Sequence, residues 1–346
     1  MIETETIQKK GETYFLNLRL LLITTVFVGN AIEPLIGKIV GMHSLYLWIF
    51  TFHMPLFVLV TGYFAKSNLK GAQGRNLLLQ IAVQYVIFQT LYSVLDQTLF
   101  HVQNIHRSFF APYLLLWFLI SHICWRLITI AIHKFTGTQQ IALSLILGVL
   151  VGYLQLDGVW LSISRTFVYL PFFLIGYHLS FEKFVLFFTT WKRVTAASVS
   201  LTLLIVIALF MLGLPEGWLF GSMTYTQLGQ HHWYAGAMRL AIYALQFISA
   251  TAFLAFVPTV HCWMTELGRR TLYVFLLHGL LIRFAAISGI YNYVSTMSGA
   301  LLVIAFACLL TLLLAQARVK QWAHPFIEPK VTWIIRLERL ALGRPL

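Results

Sequence analysis

The chain reads as an all-α, polytopic integral membrane protein, on three observations. Of its 346 residues, 59% are hydrophobic and only 10% charged, where a soluble domain carries about a quarter. Apolar stretches recur along almost the whole length, each about 20 residues and so able to cross a hydrocarbon core of roughly 30 Å. The shorter, alternating segments expected of a membrane β-barrel do not occur.

Taken in order, the first fourteen residues, MIETETIQKKGETY, carry no cleavable signal pattern. The apolar run after them is too long for a signal core and lacks a small-residue cleavage site, so 15–36 reads as the first span. The second, 43–65, holds His53 and Pro55 near its centre. Hydrocarbon excludes a titratable ring, and a proline frees a backbone carbonyl, so this segment predicts a site surrounded by protein inside the membrane. The next four spans fall at 77–98, 112–133, 138–155 and 160–180. A seventh at 194–212 precedes the polar stretch 213–236, GLPEGWLFGSMTYTQLGQHHWYAG, which mixes aromatic and polar groups as sugar-binding surfaces do. Spans at 237–260, 271–289 and 299–317 complete a set of ten. The expected organisation is a cytoplasmic N-terminus (1–14), a transmembrane domain (15–317) and a basic cytoplasmic tail (318–346). In the tail, Trp333, Ile334, Leu337 and Leu340 oppose Arg336 and Arg339, the pattern of a short helix lying on the inner leaflet.

The net charge of +13 does not point to nucleic acid, because its distribution follows the membrane. With the N-terminus inside, 18 of the 24 Lys and Arg residues fall on the cytoplasmic side, and the outer loops hold only Lys38 and Arg107. The positive-inside rule therefore places both termini in the cytoplasm. Cys124, Cys262 and Cys308 show no framework spacing, which argues against disulfides and thiolate metal sites. No two histidines within the spans stand three or four apart, so no dedicated metal site is expected. Gly-rich phosphate loops, a GxSxG elbow and acidic runs suited to a cation channel are also missing from the sequence.

Four arginines remain within or at the rim of spans: Arg126, Arg165, Arg239 and Arg283. A charge near the bilayer centre costs about 2.5–3.5 kcal/mol. Arg126 and Arg283 lie far enough from the midplane to snorkel. Arg165 and Arg239 sit near outer ends, facing 213–236, placed either to hold an anionic or sugar-bearing acceptor or to pair with Asp157 or Glu216. At about 1.5 Å of rise per residue, Asn30 lies roughly 16 Å above Arg19. The same reckoning puts Asn30, His53, His122 and His278 in one layer near midplane, with His53 the leading candidate for chemistry and His122 read as structural.

Six segments in order, together spanning nearly the whole chain, carry a family resemblance. They are YFLNLRLLLITTVFVGNAIEPLIG, FHMPLFVLVTGYFAKS, LLWFLISHICWRLI, RTFVYLPFFLIGYHL, QHHWYAGAMRLAIY and GRRTLYVFLLHGLLI. The set resembles the acyltransferase-3 family of integral membrane acyltransferases, in its fucose 4-O-acetylase-like branch. The resemblance implies ten helices with cytoplasmic termini and an acyl-CoA-dependent O-acyltransferase of the cell membrane, with acetyl the expected group and no metal. The acyl group would pass from cytosolic acyl-CoA to a hydroxyl of an extracytoplasmic or lipid-linked glycan, with envelope-polysaccharide assembly proteins as candidate partners. A neutral imidazole suits that chemistry, because it can take the proton of an attacking hydroxyl. Lys70, Arg75, Arg269 and Arg270, on the cytoplasmic side, are candidates for the CoA phosphates. Glu33, Arg165, Arg239 and His278 are candidates for the acceptor.

One departure stands out. The family's first helix carries an arginine, ten intervening residues and a histidine taken as the catalytic base. Arg19 fits, but the second position is Asn30, in VGNAIEP where the family would have VGH-x-IEP. An amide is not a base, though it both donates and accepts hydrogen bonds. Three readings stay open: His53 supplies the base, Asn30 only orients substrate, or the chain is catalytically impaired. Two other functions also stay open. One is a transporter or flippase for a lipid-linked sugar, gated by Arg165 and Arg239, against which no inverted repeat is visible. The other is a non-catalytic partner in envelope-polysaccharide assembly.

Overall fold

Inside an apolar slab a lone segment can satisfy its backbone only as a helix, and every regular element among the described residues is helical. The computed structural model describes residues 2–100, 108–154, 160–185 and 190–334, with side chains from residue 9 onward except those of 183, 185, 190 and 191. Arg107, Asp157, Arg336, Leu337, Arg339 and Leu340, all invoked above on the sequence, lie outside the described residues.

Helix α1 runs Ile2–Ile32 and ends in a 3-10 turn, Glu33–Leu35; α2 is Met42–Ala65 and α3 Gly71–Thr98. A 3-10 turn, Leu114–Leu116, leads into α4, Trp117–Ala131. Then come α5 (Gly137–Leu150), α6 (Ile163–His178), α7 (Phe181–Val185), α8 (Thr190–Phe210) and α9 (Gly217–Phe220). The chain ends with α10 (Ala235–Leu254), α11 (Trp263–Gly268), α12 (Thr271–Ile287), α13 (Met297–Leu314) and α14 (Ala317–Ile327).

Each predicted span coincides with a helix, but among the described residues seven helices are long and apolar enough to cross a membrane: α1, α2, α3, α4, α8, α10 and α13. The other three predicted spans fall on α5, α6 and α12, which are shorter. Helix α1 also begins well before residue 15, so the expected N-terminal tail continues the first helix. The amphipathic tail helix expected at 331–342 lies largely outside the described residues; before it, α14 exposes Trp322 and Phe326 while burying Ile327 against α3 and α12. Three short helices, α7, α9 and α11, sit in stretches read from the sequence as connections.

Burial separates core from periphery. Of the most apolar window in each helix, 72% is buried for α2 and 67% for α1, against 11% for α8 and 17% for α13. The outward faces of α8 and α13 are apolar, including Leu201, Leu209, Leu302 and Phe306, as a lipid-facing helix requires. Helix α2 is the hub, packing on α1, α6, α8 and α10.

The α2–α6 crossing is made by backbone, not side chains. A Cβ on Gly62 would lie 2.0 Å from the Phe173 carbonyl oxygen, and one on Gly176 would lie 1.9 Å from that of Leu59. Each glycine thus faces the carbonyl three residues before the other, the close approach that small residues permit between membrane helices. Just above, Pro171 leaves the Phe167 carbonyl without its helical donor. The flanking carbonyls receive side chains from neighbouring helices: Trp125 Nε1 donates to Thr166 O at 2.7 Å and Tyr243 OH to Val168 O at 2.8 Å. Helix α6 is therefore pinned to α2 by close contact and to α4 and α10 by hydrogen bonds. Gly62→Ala and Gly176→Ala should each destabilise the protein by about 1–3 kcal/mol, and the leucine variants should abolish the monodisperse peak in detergent size exclusion. Gly37→Ala, whose Cβ meets nothing within 4 Å, should behave as wild type in the same assay.

Candidate functional site

Two cavities lie back to back within the helix bundle. The first, about 420 Å³, is bounded by the C-terminal ends of α1 and α12, the N-terminal ends of α4 and α6, the middle of α2 and Phe220 of α9. The second, about 300 Å³, lies toward the opposite ends of the same helices and reaches α3 and the residue after α14. Three side chains line both: Phe57 of α2, Phe118 of α4 and Phe275 of α12. Their ring centroids stand 5.5, 5.5 and 6.4 Å apart, two of the pairs near edge-to-face. An aromatic layer thus separates the two cavities.

The first cavity contains an imidazole with a free basic nitrogen. His53 is 3% exposed, and its Nδ1 lies 2.8 Å from the Ile49 carbonyl one turn earlier. A carbonyl only accepts, so Nδ1 carries the proton and Nε2 keeps its lone pair. His278 shows the same arrangement, with Nδ1 at 3.0 and 2.8 Å from the Val274 and Phe275 carbonyls. Its Nε2, however, is occupied: Asn30 Nδ2 lies 3.1 Å away and donates to it. The amide therefore caps one imidazole base behind the cavity wall, while Asn30 itself lines the cavity. Of the two imidazoles, His53 is the one free to take a proton from something bound there.

Charged groups complete this wall. Glu33, Arg165 and Arg283 all line the first cavity. Arg283 pairs with Asp96 at 3.4 Å and donates to Tyr113 OH. Glu33 lies near Tyr291, where burial and the Glu33 charge together push the phenol above its ordinary range. Arg165 is held over Trp117, its guanidinium carbon 4.9 Å from the ring centroid.

The second cavity is cationic. Arg19 and Arg126 line it together with His122 and Glu328. Arg19 has its guanidinium 5.6 Å above Phe64, and its helix is anchored by Asn17, which donates to Pro258 O and Val260 O and accepts from Thr265. Arg126 donates to both the backbone and side-chain oxygens of Asn68 in the α2–α3 loop. Glu328 accepts from Tyr273 OH at 2.8 Å. Four of the sequence candidates lie beside this mouth. Asn68 and Leu77, which line it, bracket Lys70 and Arg75, and Thr271 and Leu272 follow Arg269 and Arg270. Arg269 is paired with Glu12 at 3.0 Å, and Arg270 donates to Ala315 O at 3.2 Å.

The single polar layer expected from depth is split. Asn30, His53 and His278 gather at the first cavity, but His122 opens onto the second, where its buried Nε2 has no hydrogen-bond partner. Reading His122 as structural overlooked this. The available signal was its place one turn before Arg126, which puts both on one face of α4. Arg239 is a second departure from expectation. It is 1% exposed, donates to Trp218 O at 2.6 Å and lies over the Trp218 ring, so it braces α9 and does not line the cavity. The 213–236 stretch folds inward accordingly: Trp218 and Tyr225 are buried, and Phe220 alone of its aromatic residues reaches the cavity.

In comparisons with family models, curated proteins and solved structures, the chain matches none. The Asn30–His278 hydrogen bond is open to direct measurement. A double-mutant cycle of Asn30→Ala and His278→Ala, read by unfolding in detergent, should return a coupling of about 0.6–1.7 kcal/mol.

Proposed function

We propose that this protein is a membrane O-acyltransferase, with acetyl the expected group, that moves an acyl chain from cytosolic acyl-CoA to a hydroxyl of an extracytoplasmic or lipid-linked glycan. The observation that carries this reading is the uncapped Nε2 of His53 in a cavity that meets a separate cationic cavity across one aromatic layer. The resemblance of the six sequence segments supports it.

In this reading ten helices span the membrane with both termini in the cytoplasm. Helices α5, α6 and α12, with their 3-10 extensions, fall within the roughly 17–25 residues that a crossing takes. The second cavity then faces the cytosol, and its Arg19, Arg126 and basic rim receive the phosphates of the donor. The first faces outward and receives the acceptor. His53 Nε2 accepts the proton of the acceptor hydroxyl as its oxygen attacks the thioester carbonyl. The C–S bond breaks, and the departing thiolate takes that proton back from the imidazolium. The acyl thioester meets His53 only when the rings of Phe57, Phe118 and Phe275 part. Asn30, where the family pattern has a histidine, orients His278 and shapes the acceptor wall, and the base has moved to α2.

Membranes containing the protein should transfer label from radiolabelled acetyl-CoA to a surface glycan, and His53→Ala should lower that transfer by about 10²–10⁴-fold. A wild-type protein with no transfer to any candidate glycan refutes the reading. The back-to-back cavities would also suit a carrier for a lipid-linked sugar. That alternative gains if deletion leaves unflipped precursor with glycan acetylation unchanged. Orientation has its own test: periplasmic-type reporters fused within 213–236 should be active, and those fused after Lys134 inactive.

A further inference from the structure

Among the described charged groups on the first cavity, Arg165 is the cation without an ion pair. Arg283 is matched by Asp96, and the Ile49 carbonyl fixes the His53 proton on Nδ1. Among the described residues Arg165 makes no ion pair and no hydrogen bond. Its contact is the Trp117 ring, which stacks in turn on Tyr169 at 5.7 Å and 27°. A guanidinium offers five donors in a planar fork, and donors unused in a partly buried site are a standing cost that a ligand can relieve.

The backbone around this group is strained and locked. Three non-glycine residues among those described have left-handed φ: Leu114 at 45°, Leu161 at 50° and Ser162 at 49°. Leu114 lies three residues before Trp117, and Ser162 three before Arg165. Leu161 N bonds to Phe110 O at 2.7 Å, tying the two strained turns together. The residue after Arg165 is held as well, since Ser121 and Trp125 bond the hydroxyl and carbonyl of Thr166 at 2.8 and 2.7 Å. Strain that the surroundings over-determine collects at ligand sites, and here it fixes a cation and its aromatic support.

We infer that the first cavity binds an anionic saccharide, whose carboxylate or phosphate docks on the Arg165 fork while the sugar's C–H faces pack on the aromatic wall. The volume of about 420 Å³ is in the range of small-ligand sites. Carboxylates and phosphates present paired oxygens that a guanidinium fork matches with two parallel hydrogen bonds. Glu33 places the opposite charge elsewhere on the wall, which steers the anion toward α6. This deepens the proposed function by naming the acceptor class and rests on it for the role of the site.

Binding can be measured without any acyl donor. Full-length protein in detergent is titrated calorimetrically with methyl glucuronide, glucose 1-phosphate and methyl glucoside. One of the two anions should bind about tenfold tighter than the neutral glycoside or better, and Arg165→Gln should erase the difference. Should that variant not fold, Arg165→Lys keeps the charge but loses the fork, and should bind the anion several-fold more weakly with the neutral sugar unchanged. Equal binding of all three, no binding of either anion, or a preference that survives Arg165→Gln overturns the proposal. So does loss of both anions' binding in phosphatidylglycerol nanodiscs but not in phosphatidylcholine ones, which would assign the site to lipid phosphate. A negative result leaves the acetyl-transfer assay and its His53→Ala control untouched, so the two readings fail separately.

Discussion

The geometry of both cavities depends on how closely α2 and α6 approach. Gly62 and Gly176 let each backbone press on the carbonyl of the other, and no side chain fits between them. That contact sets the angle at which α2 carries His53 and Phe57 into the bundle and at which α6 brings Arg165 to the rim. The attraction per contact is small, yet lipid tails compete poorly with it because two flat surfaces pack without leaving a void. Pro171 interrupts α6 nearby, and Trp125 of α4 and Tyr243 of α10 bond the carbonyls on either side of the one it frees.

Satisfied polar groups explain most of what is buried here, and unsatisfied ones mark the exceptions. His278 has both nitrogens engaged and is 0% exposed. Arg239 is used on the α9 backbone. His53 Nε2, the Arg165 fork and His122 Nε2 stand apart from this economy. Two face the first cavity and one the second, but Arg239 Nε and the buried oxygens of Ser164, Gln246 and Ser249 also lack hydrogen-bond partners among the described residues and line neither cavity.

Where helices lie along the chain was legible from sequence, and direction around each helix was not. A fixed rise per residue placed Asn30, His53, His122 and His278 at one level, and hydropathy placed ten helices where helices are found. Which way a residue points depends on tertiary packing, which a nearly uniform apolar sequence does not record. In a soluble helix the polar face reveals the inward one; α2 is apolar on every side. Hence His122 opens onto the cavity opposite His53, and Arg239 turns toward α9. The short helices α7, α9 and α11 escaped notice because hydropathy windows are longer than they are.

The layer of Phe57, Phe118 and Phe275 has a consequence for the cell that carries it. In the proposed orientation each cavity would open to its own side, and a continuous file of water between them would conduct protons down an electrochemical gradient. Benzene rings packed near edge-to-face offer no lone pair or hydroxyl along which a proton can hop. A membrane protein with two cavities back to back can therefore keep an imidazole between its ends without discharging the membrane around it.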